Sequence, residues 1–228
     1  MNSFLKAIGL LLALVVFISI LIVLPAFLFG AFGQWQIFVL GLGYFCFFLG
    51  TIWRTLKYGE LTPYREDEQV KRTSGRLASI IQITGLLGVH WLAIYDFSHA
   101  HKHESYAIEA ALTTVAIFLI VLSIIINQIA VRTLGKFFDR LTIKPEHQLI
   151  TTGIYSWVQH PIYLSYILLF VGFCTLLQSS ISFVLLAIVC IIWFGNRIMI
   201  EEELLVQEFG EDYKTYQQQT KRIFPFIY

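Results

Sequence analysis

Charge is scarce in this 228-residue chain: 14% of its residues are Asp, Glu, Lys or Arg, and they nearly cancel to a net +1. That balance lacks the basic footprint a nucleic-acid backbone demands, so no nucleic-acid partner is expected. Cysteine is scarcer still. Cys46, Cys174 and Cys190 all fall in apolar runs, are odd in number and show no metal-ligand spacing, which argues against a disulfide framework. No segment alternates with strand period, and no internal repeat is evident. A dinucleotide fingerprint is missing as well: Gly41 and Gly43 lack a third glycine at position 46, and no strand precedes them. They read instead as small residues where helices approach closely.

What fills the sequence is apolar. Hydrophobic residues make up 57% of the chain, and the mean hydropathy is +0.71. A soluble domain of this length cannot bury so much apolar surface, so the chain is expected to be an integral membrane protein. Six apolar segments are legible: Phe4 to Phe29, Gln36 to Trp53, Leu77 to Phe97, Ile108 to Val131, Ile162 to Leu177 and Ile181 to Ile200. The first is longer than the apolar region of a cleaved signal peptide, the rival reading, and Pro25 is expected to bend or end it. The fourth carries Asn127 and Gln128 near its end. The expected fold is an all-α polytopic membrane helix bundle with about six transmembrane helices and no Rossmann domain. Its expected parts are 1–131, four N-terminal spans, and 132–228, a catalytic region with a loop, a helical hairpin and an amphipathic C-terminal helix.

Lys and Arg placement orients the bundle. Six spans put the N-terminus, the polar connections 54–76 and 132–161 and the C-terminal tail on one side. That side holds every Lys and Arg except Lys102, so both termini are expected in the cytosol. Arg54 falls in the first of these connections on this reading. On the opposite side His99, His101 and His103 alternate, a pattern that can line three imidazoles along an extended segment. No Cys accompanies them and Glu104 is the only nearby carboxylate, so no metal is expected.

The longest chemistry-bearing stretch between spans is Gln148 to Tyr163, which mixes Gly, Tyr, Trp, His and Pro. Gly153 permits a turn that other residues resist. Pro161, lacking an N–H, suits the first position of the next helix and places His160 at that helix's N-terminus. The second constellation sits at the end of the sixth span. Arg197 and Glu201 are four apart and share a helix face, either as a solvated ion pair or as part of a site. Gly210 is a helix stop, followed by Tyr213 and Tyr216.

Taken in order, Gln148-Leu149-Ile150, Gly153-Ile154-Tyr155, His160-Pro161-Ile162-Tyr163, Arg197, Glu201-Glu202, Phe209 to Tyr213 and Pro225-Phe226 resemble the isoprenylcysteine carboxyl methyltransferase family over about residues 130–228. The resemblance implies a membrane helix bundle with an S-adenosylmethionine pocket on the cytosolic side. The membrane would be the endoplasmic reticulum in a eukaryote and the inner membrane in a bacterium. It further implies that Arg140, His147, Gln148, Leu149, Ile150, Tyr155, His160, Pro161, Ile162, Tyr163 and Glu201 bind that cofactor. Arg197 is implied to meet a prenylated or lipid-like methyl acceptor. Three departures stand out: Gln159 replaces the usual Arg, Ser165 stands where Gly is common, and Arg140 takes the place of a Gln. The alternatives are a phospholipid N-methyltransferase, a sterol-reductase-like oxidoreductase using NADPH, and a non-catalytic membrane protein.

Overall fold

The computed structural model describes residues 3–59, 76–99, 105–138 and 148–224. Its elements are helices. These are α1 (Ser3–Ile18), α2 (Leu24–Leu28), α3 (Trp35–Tyr58), α4 (Arg76–His99), α5 (Tyr106–Leu134), α6 (Pro161–Leu176), α7 (Ser180–Phe209) and α8 (Glu211–Gln219). Among the described residues the only strand-like pairing is an isolated parallel bridge between Val158 and Lys221. Four segments are long and apolar enough to cross a membrane: Phe4–Leu28, Trp35–Tyr58, Tyr106–Phe137 and Ser180–Phe209. The 16-residue α6 is apolar but shorter, and the 24-residue α4 packs among them. Large apolar side chains such as Leu12, Val16, Phe118, Val121, Ile188 and Ile191 are exposed along the outer faces, as lipid contact requires. The protein is a helical membrane protein.

Pro25 neither ends the first span nor leaves it regular. A π-helical turn over Ser19–Val23 precedes it, with the Leu24 N–H donating to the Ser19 carbonyl. The wider turn displaces the carbonyl of Ile20, which accepts instead from the Trp91 indole of α4 at 3.1 Å. Inside the bundle, His90 is fully buried between Tyr44 (Oη to Nε2, 2.6 Å) and the Leu86 carbonyl (2.8 Å). Both ring nitrogens are satisfied, so this intramembrane histidine is a packing element.

The closest helix contact is α5 against α6, and small residues make it. A Cβ on Gly172 would lie 2.8 Å from the Ile120 side chain and 3.1 Å from the Ala116 carbonyl. Gly43 meets Ile120 similarly, at 2.9 Å, whereas Gly41 faces open space; only one of that glycine pair marks a close approach. Gln128 bridges to α3, donating to the carbonyls of Cys46 (3.0 Å) and Phe47 (3.3 Å).

Two polar connections are shorter than the sequence suggests. Helix α3 runs past Trp53 to Tyr58, and Arg54 lies within it, fully buried rather than in a solvated loop. Its guanidinium donates to the carbonyls of Gly59 (3.0 Å), Gly135 and Lys136 (both 3.4 Å). One cation thus serves the C-terminal ends of α3 and α5, where helix carbonyls lack partners and the macrodipole favours positive charge. Helix α5 likewise carries Arg132 inside its last turn.

Candidate active site

Gly153 (φ +63°) turns the chain into a short 3-10 turn, Gly153–Ser156, which seats Tyr155 in the interior. The backbone from Trp157 to His160 then runs beside residues 221–222. The Gln159 N–H donates to the Lys221 carbonyl (2.7 Å), and the His160 N–H to the Arg222 carbonyl (3.0 Å). The Gln159 carboxamide donates to the carbonyls of Gln217 (3.2 Å) and Thr220 (3.0 Å). The residue that departs from the family's usual Arg is therefore an anchor for the end of α8. Pro161 opens α6 with His160 at its N-cap, as its missing N–H dictates.

Antiparallel α6 and α7 bring the two sequence constellations together. Tyr163 Oη donates to Glu201 Oε2 at 2.7 Å, and His160 Nδ1 lies 4.0 Å from the same oxygen. His160 Nε2 is 3.1 Å from Glu202 Oε1. Glu202 is clamped in turn by Arg222, whose Nε donates to Oε1 at 2.8 Å and whose Nη2 donates to Oε2. With Nε2–H committed to this buried carboxylate, Nδ1 is the ring atom on the Glu201 side. Sequence reading missed the Glu202–Arg222 clamp. The adjacent carboxylates were visible, but helix geometry sends them to different faces, and only the fold brings residue 222 to one of them.

Arg197 and Glu201 do not form the ion pair that their spacing permits; among the described residues no carboxylate lies within 4 Å of the Arg197 guanidinium. Arg197 instead lies near the Tyr163 hydroxyl.

These side chains line a cavity of about 720 Å³. Its polar end carries Gln148, Tyr155, His160, Tyr163, Arg197, Glu201 and Tyr213, and its apolar walls include Leu14 and Phe17 of α1, Phe48 and Ile52 of α3 and Trp193 of α7. Leu149, Ile150, Pro161 and Ile162 line it too, so every described residue to which the family resemblance gives a cofactor or acceptor role meets at one cavity. Arg140 and His147 lie outside the described residues, as do His101, His103, Pro225 and Phe226. His99, the described member of the alternating histidines, stacks on Tyr95 with centroids 4.3 Å apart and hydrogen-bonds the Tyr95 carbonyl at 2.9 Å.

Burial raises the phenol of Tyr155 well above the usual tyrosine range, with the Glu201 charge adding to it. Burial likewise raises Tyr213, and pushes Tyr216 up to about 12. All three are therefore neutral donors at physiological pH. Tyr216 spends its proton on the Tyr155 carbonyl at 2.7 Å, whereas the hydroxyls of Tyr155 and Tyr213 are buried without a partner. Unsatisfied buried donors at a cavity wall are what a polar ligand would engage.

The fold and site define a multi-helix membrane bundle enclosing a cavity with charged and polar side chains at one end and apolar walls. Residues 115–207 match the isoprenylcysteine carboxyl methyltransferase (ICMT) family, the family that the chain resembles. Among relatives, the protein-S-isoprenylcysteine O-methyltransferase of Saccharomyces cerevisiae is 32% identical over 130 residues, covering 55% of this chain and 54% of its own. The B form from Arabidopsis thaliana is 35% identical over 112 residues, 48% of this chain and 57% of its own. The rat enzyme is 24% identical over 196 residues, 85% and 64% respectively. The chain thus spans less than two thirds of the length of these relatives. The solved eukaryotic intramembrane Ras methyltransferase ICMT shares the fold: TM-score 0.59 over 98% of this chain and 84% of that one, at 20% identity.

Proposed function

We propose that the protein is an S-adenosylmethionine-dependent membrane methyltransferase that esterifies the carboxylate of a prenylated cysteine or a similar amphiphile. The observation that carries this reading is Arg197: a cation at the wall of a largely apolar cavity, with no carboxylate among the described residues within ion-pair reach. Such a group suits an incoming carboxylate, which a planar guanidinium holds by paired hydrogen bonds. An acceptor with a long apolar tail would then lie against Leu14, Phe17, Phe48 and Trp193.

The donor end of the cavity suits the cofactor. About 720 Å³ falls within the range of small-molecule sites. Glu201 offers an anionic partner to the cofactor's ammonium, and His160 Nδ1 and the unpaired phenols of Tyr155 and Tyr213 can meet its remaining polar atoms. Gln148, Leu149, Ile150, Pro161, Ile162 and Tyr163 complete this surface, with Arg140 and His147 as further candidates by resemblance. Bound S-adenosylmethionine would supply an electrophilic methyl group: an O–CH3 bond to the carboxylate would form as the S–CH3 bond breaks, and the sulfonium would leave as a neutral thioether, S-adenosylhomocysteine.

The acceptor carboxylate is ionised at neutral pH, so no general base is needed. What the residues contribute is placement: Arg197 fixes the nucleophile, Tyr163 hydrogen-bonds Glu201 and lies near Arg197, and the cavity walls exclude water. We assign the donor-binding parts to 132–228 and the acceptor's apolar walls in part to 1–131. The loaded end is taken to face the cytosol, following the Lys and Arg asymmetry.

Calorimetric titration of the purified full chain with S-adenosylmethionine and, separately, NADPH tests this reading. Saturable binding of the first alone is expected. Binding of NADPH alone would move the protein to the reductase class, and binding of neither would leave a scaffold.

A further inference from the structure

Asn127 of α5 is 2% exposed, lines the cavity and has no part in the assignments above. Its carboxamide Nδ2 donates to Ser165 Oγ at 3.1 Å, and Ser165 spends its single proton on the Ile162 carbonyl at 2.6 Å. Ser165 can therefore only accept from Asn127, which fixes the amide's orientation. The carboxamide oxygen is left buried with no donor among the described residues. A buried acceptor without a partner is destabilising unless something supplies a proton to it.

The depth of this acceptor says which ligand that is. Ser165 sits one helical turn into α6 from His160, and Arg197 one turn into α7 from Glu201. Asn127, tied to Ser165, thus shares a layer with Arg197, about 6 Å deeper than the His160–Glu201 layer. The cofactor's donors belong to the outer layer, and the methyl acceptor's head belongs to the inner one. We propose that Asn127 is a specificity-determining residue: its carboxamide oxygen accepts the N–H on the carbon next to the acceptor carboxylate that Arg197 holds. The inference rests on the carboxyl-methyltransferase reading and assigns the residue that would meet the backbone N–H beside the acceptor carboxylate. Ser165 becomes the residue that locks the carboxamide.

The test compares two acceptors with the full-length protein: N-acetyl-S-farnesylcysteine and its analogue with oxygen replacing the amide N–H. The wild type should show a kcat/KM about tenfold or more higher for the amide, the size of one unsatisfied buried acceptor. Asn127→Leu should erase that ratio while leaving the KM for S-adenosylmethionine unchanged. Ser165→Gly, which removes only the lock, should reduce the ratio and covers the case in which Asn127→Leu does not fold. Equal rates for both acceptors in the wild type, or a ratio that survives in both variants, would overturn the assignment alone. If the wild type methylates neither acceptor, the carboxyl-methyltransferase reading itself falls, and the assignment with it.

Discussion

At the scale of single residues, the proposed site would divide labour between neighbours on one helix. Arg197→Ala should abolish or severely reduce methyl transfer while S-adenosylmethionine affinity changes little, because its proposed partner is the acceptor. Glu201→Ala should instead weaken cofactor binding by about 1.5–3 kcal/mol, the worth of a charge-assisted hydrogen bond. Titration calorimetry beside an activity assay separates the two, and the reverse pattern would exchange their roles. Glu202 behaves differently again. It touches His160 and Arg222, so Glu202→Ala should lower thermal stability and catalysis together. Its cost is about 1–3 kcal/mol, less than for a fully buried pair because the Arg222 side chain is 41% exposed. A melting curve unchanged from wild type would show that the clamp is ornamental.

At the scale of elements, what was legible in the sequence follows from local rules. Gly153, Pro161 and Gly210 each announced a turn, a helix start or a helix stop, and the structure has all three there, because these residues constrain their own backbone. His160 and Glu201 were readable as neighbours because they bracket a hairpin of two helices. Long-range partners were not readable. Arg54 looked like a loop cation because two of its hydrogen-bond acceptors, the carbonyls of Gly135 and Lys136, lie some eighty residues away. Gln159 looked like a defect in a motif, and only the docking of the 217–222 segment shows its carboxamide serving two carbonyls. The packing of α5 on α6 gives a further prediction. Gly172→Ala places a methyl against both a side chain and a backbone carbonyl of α5, so it should destabilise the bundle by about 1–3 kcal/mol. Gly41→Ala, facing open space, should be near neutral in the same thermal-unfolding assay.

At the scale of the whole molecule, apolar helices supply both the membrane anchorage and the walls of the site. The cavity draws on α1 and α3 as well as on the region that matches the family, so the N-terminal helices shape whatever tail the acceptor carries. The six-helix reading with both termini in the cytosol predicts that reporters fused after Phe97 and after Tyr228 lie on opposite sides of the membrane. Finding both on one side would overturn that topology.

The central claim is methyl esterification of a carboxylate held by Arg197, and the product's chemistry tests it most directly. Full-length protein in detergent or vesicles, given S-adenosylmethionine with a labelled methyl group and N-acetyl-S-farnesylcysteine, should yield a labelled product that releases its label as methanol in mild base. Arg197→Ala should yield none. Label that resists base, or full activity in Arg197→Ala, would contradict the account.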